Sequence, residues 1–171
     1  MVPDVLSPDD ALPSPGTLTH TLRQLLTARR LRLAIAESCT GGKLTNALCA
    51  EENTPDFFGI GYVIFTDAAK EKVLGVKPST LERHTAVSEA TAREMANGAR
   101  QRSGEDIAIA VTGYGGPQGG EDGTPAGTVW FAWSFADRTE ARVVRFNGDC
   151  EEVLNQAVSY ALAGLIARLY D

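Results

Sequence analysis

Three side chains that can act as nucleophiles, Ser38, Cys39 and Thr40, stand together in "AIAESCTGGKL", between an apolar run and the pair Gly41–Gly42. A serine there needs a base to become a nucleophile. The two histidines, His20 and His84, offer no convincing Ser-His-acid triad, which leaves a lysine that is neutral at working pH. Lys70 is the candidate. It falls in the first turn of the helical stretch "AAKEKVLG", which Asp67 is placed to cap, and the positive end of that helix disfavours a second positive charge. Burial would lower its pKa further, while the nearby Asp67 and Glu71 would oppose this. Plainer alternatives stay open at this point: a solvated surface lysine, and an N-cap followed by a glycine turn at Ser38–Gly42.

Known nucleotide and hydrolase motifs do not fit the stretch. A Walker loop needs glycine at Glu37 and Ser/Thr at Leu44, the hydrolase elbow needs glycines at Ala36 and Thr40, and S-x-x-K fails at Gly41. A second segment, "TGYGGPQGGEDGTPAG", holds seven glycines and two prolines in 16 residues, which suits close backbone approach to a ligand. Its spacing departs from the dinucleotide fingerprint, because Gln118 occupies the third glycine position. A mobile surface loop is the plainer reading.

These residues need strands that end near one another. "LRLAIAE", "FGIGYVIF" and "DIAIAVTG" read as buried strands, and each runs into one of the polar or glycine-rich segments. Helices are expected over "TLTHTLRQLLTARR", "GGKLTNALCAE", "AAKEKVLG", a stretch capped by Ser88 with Ala92, Met95, Ala96 and Ala99 inward, and from about Glu151 to the end. "TVWFAWSF" and "EARVVRFN" read as adjacent strands joined at Asp137 and Arg138. Alternating strands and helices followed by paired strands predict a three-layer α/β/α sandwich with a mixed β-sheet. Residues 1–16, with four of the eight prolines, read as a flexible leader without fold, and 17–171 as one domain.

Composition narrows the partners. With 16 basic and 22 acidic side chains the net charge is −6, which repels a phosphate backbone and speaks against nucleic acid. No run is long enough to span a membrane and no signal region opens the chain, so a cytoplasmic location is expected. Cys39, Cys49 and Cys150 form no C-x-x-C pair, and the histidines lack ligand spacing, so no metal site is expected.

Taken in order, "AESCTGG", "AAKEKVLGV", "TAVSEATAREMANGAR", "DIAIAVTGYGGPQGG" and "GTVWFAW" resemble the CinA C-terminal domain, the PncC-type nicotinamide mononucleotide deamidases, from about Thr17 to Tyr170. The resemblance implies an amidohydrolase that converts nicotinamide mononucleotide to nicotinic acid mononucleotide and ammonia, in pyridine nucleotide salvage, without metal or cofactor. It implies Ser38 as nucleophile and Lys70 as general base. Thr40, Gly41 and Gly42 would surround the site, and Thr112, Gly113 and Gly116 would contribute to binding the nucleotide. It also implies a homo-oligomer, and a molybdopterin-binding-like domain that two-domain members carry and this chain is read as lacking.

The departures are equally specific. Phe65 and Asp67 stand at the family's tyrosine and asparagine positions, and Cys150 replaces an arginine suited to gripping an anion. "HTAVSE" replaces His-Gly-Ala-Val-Ser-Glu, and "GYGGP" stands where a small residue usually precedes the second glycine. Two expectations therefore stand side by side: a working amidase, with its own substrate preference, or a catalytically silent paralogue that binds a small ligand or a protein partner.

Overall fold

The computed structural model describes the backbone of Asp4–Leu6, residue 9 and residues 12–171. Six strands form one mixed sheet: β1 (Asp4–Leu6), β2 (Leu33–Glu37), β3 (Phe58–Val63), β4 (Ile107–Gly113), β5 (Thr128–Ser134) and β6 (Thr139–Phe146), in the order β1-β6-β5-β4-β2-β3. β2 pairs parallel with β3 and β4, β5 runs antiparallel to β4 and β6, and β1 lies parallel to β6. The helices are α1 (Pro15–Arg29), α2 (Lys43–Cys49), α3 (Asp67–Leu74), α4 (Pro78–His84), α5 (Glu89–Ser103) and α6 (Cys150–Tyr170). The architecture is the expected α/β/α sandwich.

The alternation along each strand divides the core into two unlike layers. Leu33 and Ile35 of β2, Ile109 and Val111 of β4, and Phe131 and Trp133 of β5 face α1, α2 and α6. Alanines occupy the other face: Ala34, Ala36, Ala108, Ala110, Ala132 and Ala141, against Ala92, Met95, Ala96 and Ala99 of α5. Small side chains on both sides let α5 sit close to the sheet, whereas bulky ones hold α6 further off. The wide stripe of α6 has its reason here, since Val153, Ala157, Ala161, Leu162 and Leu165 are all buried and Trp133 donates its indole N–H to Ala161 O at 3.0 Å.

Several boundaries differ from the sequence reading. The sequence reads residues 1–16 as a leader without fold, yet Asp4–Leu6 extend the sheet beside β6, and α1 starts at Pro15 behind the cap of Ser14. Residues 1–3, 7, 8, 10 and 11 of that leader lie outside the described residues. A strand needs only an open neighbour for its backbone, and the free edge of β6 supplies one that periodicity cannot reveal. α3 is capped by Thr66, whose hydroxyl accepts from Ala69 N–H, and Asp67 is its first residue rather than its cap. α4 is an additional short helix, opened by Pro78. Among the described residues no helix is long and apolar enough to cross a membrane.

Candidate active site

Because β2, β3 and β4 run parallel, their ends at Glu37, Val63 and Gly113 fall on one edge of the sheet. β6, two antiparallel steps from β4, ends on the same edge and turns there into α6. The segments that sequence marks as chemical therefore converge, at the place where α/β sheets bind ligands.

Ser38 directly follows β2 and its N–H continues the ladder to Val111 O at 3.0 Å. Lys70, in the first turn of α3, points inward and is only 1% exposed. Its Nζ lies 3.0 Å from Ser38 Oγ and donates to the carbonyls of Ile64 at 3.2 Å and Phe65 at 3.1 Å. Burial pulls the Lys70 pKa below the ordinary lysine value, with Asp67 and Cys39 opposing. Two of the three partners are carbonyls, which only accept, so they take two N–H bonds in either charge state. The third position is the informative one. A charged Lys70 donates to Ser38 Oγ, whereas a neutral Lys70 turns its lone pair to accept the Ser38 proton.

Cys39 is not a rival nucleophile. Its thiol packs against the larger core layer and burial pushes its pKa up to about 12, so it stays protonated. Thr40 is buried and its hydroxyl donates to Glu37 Oε1 at 2.7 Å. Gly41 and Gly42 take φ of +56° and +102°, the left-handed region in which a side chain is strained, and so turn the chain from β2 into α2. Gly41 also faces the ring of Phe65, which is 64% exposed.

Glu37 is the residue sequence reasoning missed. Fully buried, its carboxylate accepts from Leu44 N–H at 2.8 Å, Thr45 N–H at 2.9 Å and the hydroxyls of Thr40 and Thr45 at 2.7 and 2.6 Å. The first-turn N–H groups of α2, expected to face an anionic ligand, are thus occupied by the protein's own anion. An acid closing an otherwise apolar strand, just before a helix, was the signal available in the sequence.

The β4 segment divides similarly. Thr112 is buried and donates to Ala86 O at 2.8 Å, tying the end of β4 to the α4–α5 connection. Gly113 lies so close to β5 that a Cβ would stand 2.7 Å from Thr128 O. Gly116, with φ +108°, is further out in the loop. Tyr114, between them, places its hydroxyl against the side chain of Thr85, and burial, then Asp122, raise its pKa, Thr85 opposing. Cys150 opens α6 behind Gly115, where a Cβ would meet its Sγ at 3.1 Å. A cavity of about 660 Å³ lies elsewhere, between the start of α1, α2 and α6, lined by Ser14, Lys43, Asn46 and Gln156 among others and by neither Ser38 nor Lys70. The chemistry favours the dyad over this cavity.

Comparison with known proteins agrees with the fold and the motifs. The chain is 59% identical to Protein YdeJ of Escherichia coli over 152 residues, covering 89% of this chain and 88% of that one. It is 39% identical over 150 residues to the nicotinamide-nucleotide amidohydrolase PncC of the same species, covering 86% and 90%. The crystal structure of a competence or damage-inducible protein from Enterobacter asburiae superposes with a TM-score of 0.90 at 55% identity, over 92% of this chain and 99% of that one. The family model of the CinA C-terminal domain matches residues 16–169, and the chain belongs to that family.

Proposed function

We propose that the protein is a serine–lysine amidohydrolase that releases ammonia from the carboxamide of a nicotinamide nucleotide or a close analogue. The observation that carries this reading is the 3.0 Å contact between the buried Lys70 Nζ and Ser38 Oγ. Neutral Lys70 accepts the Ser38 proton as Oγ attacks the carboxamide carbon, and then passes it to the departing nitrogen, which leaves as ammonia. Water, deprotonated by Lys70, opens the resulting ester and restores Ser38, so one amide and one water give one carboxylic acid and one ammonia. N–H groups of Cys39, Thr40 and Gly42 would hold the tetrahedral oxygen, since that of Gly41 donates to Ser38 O and those of Leu44 and Thr45 are taken by Glu37. Similarity to the nicotinamide-nucleotide amidohydrolase PncC supports the choice of substrate, and no metal or cofactor is assigned. Thr40, Gly41, Gly42, Thr112, Gly113 and Gly116 would shape the site chiefly through backbone.

A second reading has its own observation. Phe65 is exposed beside Gly41 without a hydroxyl, and Cys150 brings no charge to the start of α6, so the protein would bind a ligand or partner without hydrolysis. Ammonia release from nicotinamide mononucleotide, measured against Ser38→Ala, separates the two. Turnover lost in Ser38→Ala and in Lys70→Ala supports the amidase; turnover surviving Lys70→Ala removes the base assignment, and none above the Ser38→Ala background favours the silent reading.

A further inference from the structure

The end of β4 carries a side chain that the dyad chemistry does not use. Ala34 and Ala36 of β2 and Ala108 and Ala110 of β4 face the alanine layer and α5. Strand side chains alternate, so Ser38 and Thr112, the next members of these two rows, rise on the same face. Two contacts agree: Ser38 Oγ meets Lys70 of α3, and Thr112 Oγ donates to Ala86 O in the α4–α5 connection. Tyr114 is the next member of the β4 row. It is still in the ladder, because its N–H donates to Thr128 O at 3.0 Å and its carbonyl accepts from Gly127 N–H at 2.7 Å. Glu37 pairs with Val111 in parallel register, so Thr112 stands beside Ser38 and Tyr114 one pleat further out. With strands about 4.8 Å apart and two residues spanning about 6.6 Å, the Tyr114 Cα lies about 8 Å from that of Ser38.

Tyr114 has no share in the apolar core. Tyr62 packs against the alanine layer and Tyr160 against the larger one, whereas Tyr114, half-buried, belongs to neither. What holds it is local. Its hydroxyl meets the side chain of Thr85 in the α4–α5 connection. The glycine-rich loop folds back on it so tightly that a Cβ on Gly120 would stand 2.7 Å from the hydroxyl and 2.8 Å from ring carbon Cε2. Thr85 takes φ +69° and ψ 172°, a region kept almost entirely by glycine, and the hydroxyls of Thr91 and Ser88 pin its carbonyl at 2.7 and 3.1 Å. Glycine at 85 would relieve that conformation and leave the Tyr114 hydroxyl without its neighbour.

We propose that Tyr114 is a substrate-binding residue: its ring, one pleat beyond Ser38 and on the face that carries Lys70, packs against the flat ring bearing the carboxamide and holds it over the dyad. The proposal rests on the serine–lysine amidase reading and names the side chain that selects an aromatic amide. A phenol face attracts a pyridinium, the form of the nicotinamide ring in a nucleotide, by cation–π interaction. Thr85 is a positioning residue that acts through Tyr114.

Ammonia release from nicotinamide mononucleotide by the full chain, with thermal unfolding of each variant, tests this. Tyr114→Leu removes the aromatic face and should raise KM about tenfold with kcat changed less than about twofold, as for one cation–π contact made equally in ground and transition states. Tyr114→Phe keeps the ring and frees its outer end, raising KM about threefold. Thr85→Gly should unfold at or above the wild-type temperature while raising KM by the same factor of about three, and combining it with Tyr114→Phe should raise KM no further. A folded Tyr114→Leu with KM within about twofold of wild type overturns the proposal and leaves the amidase standing, as does a loss in Tyr114→Phe equal to that in Tyr114→Leu. If Tyr114→Leu does not fold, Thr85→Gly decides, and an unchanged KM there overturns the proposal. Should the wild type release no ammonia above Ser38→Ala, the amidase reading fails, and calorimetric binding of nicotinamide mononucleotide to Ser38→Ala, with and without Tyr114→Leu, decides the role of Tyr114. Binding weakened about tenfold supports it, while equal binding, or binding to neither, overturns it.

Discussion

Removing the Glu37 carboxylate tests whether a buried acid, rather than the glycine turn alone, builds the Ser38 loop. In Glu37→Ala the N–H groups of Leu44 and Thr45 lose their acceptor inside the protein. An orphaned buried donor costs about 1–3 kcal/mol, so the pair costs about 2–6 kcal/mol, against a total stability of about 5–15 kcal/mol. The hydroxyls of Thr40 and Thr45 can rotate to other acceptors and add little. Glu37→Gln keeps the volume and one oxygen, but its NH₂ then faces one of the two N–H donors. One orphan, plus the lost charge at the start of α2, predicts about 2–4 kcal/mol. Urea unfolding of wild type and both variants at pH 7, compared at unchanged m-value, measures this. A Glu37→Gln variant within about 0.5 kcal/mol of wild type would refute the reasoning, because half of the carboxylate's bonds would then contribute nothing.

Four further outcomes follow from the packing. Lys70 is held below its ordinary value of 10.5, so folding costs are greatest when it is charged: relative to Lys70→Met, wild type should gain stability as pH rises from the lowered pKa toward 10.5, and a pH-independent difference would contradict a buried lysine. If Lys70 is the base, kcat/KM should rise through the same lowered pKa. Cys39, with its thiol pushed up to about 12, should resist alkylation at pH 8 while the exposed Cys49 and Cys150 react, as peptide mapping would show. Gly98→Ala should destabilise by at least about 2 kcal/mol in thermal unfolding, since its Cβ would stand 2.0 Å from the Leu74 carbonyl and α5 cannot withdraw from α3 without opening the alanine layer.

Much of the molecule was legible in the chain because local chemistry decides it. Apolar runs of strand length, the Ser88 cap and the wide stripe of α6 follow from periodicity and capping, and these place most elements within a few residues. The motif order placed Ser38, Lys70 and the glycine loop in one family, and the parallel ends of β2, β3 and β4 put them on one edge. Other features depended on how the elements pack. No local pattern announces that Asp4–Leu6 would find the free edge of β6, or that Lys70 would turn inward against Ser38 and two carbonyls. Each of these is a polar group meeting a partner that only the packed sheet supplies. The sequence by itself determined which side chains are present and which strands must carry them. The tertiary structure alone decided their surroundings: a buried lysine 3.0 Å from a serine, its pKa drawn below the ordinary value by burial. Charge and solvation are set by what lies within a few ångströms in space, and the Ser38–Lys70 pair that matters most here is 32 residues apart along the chain.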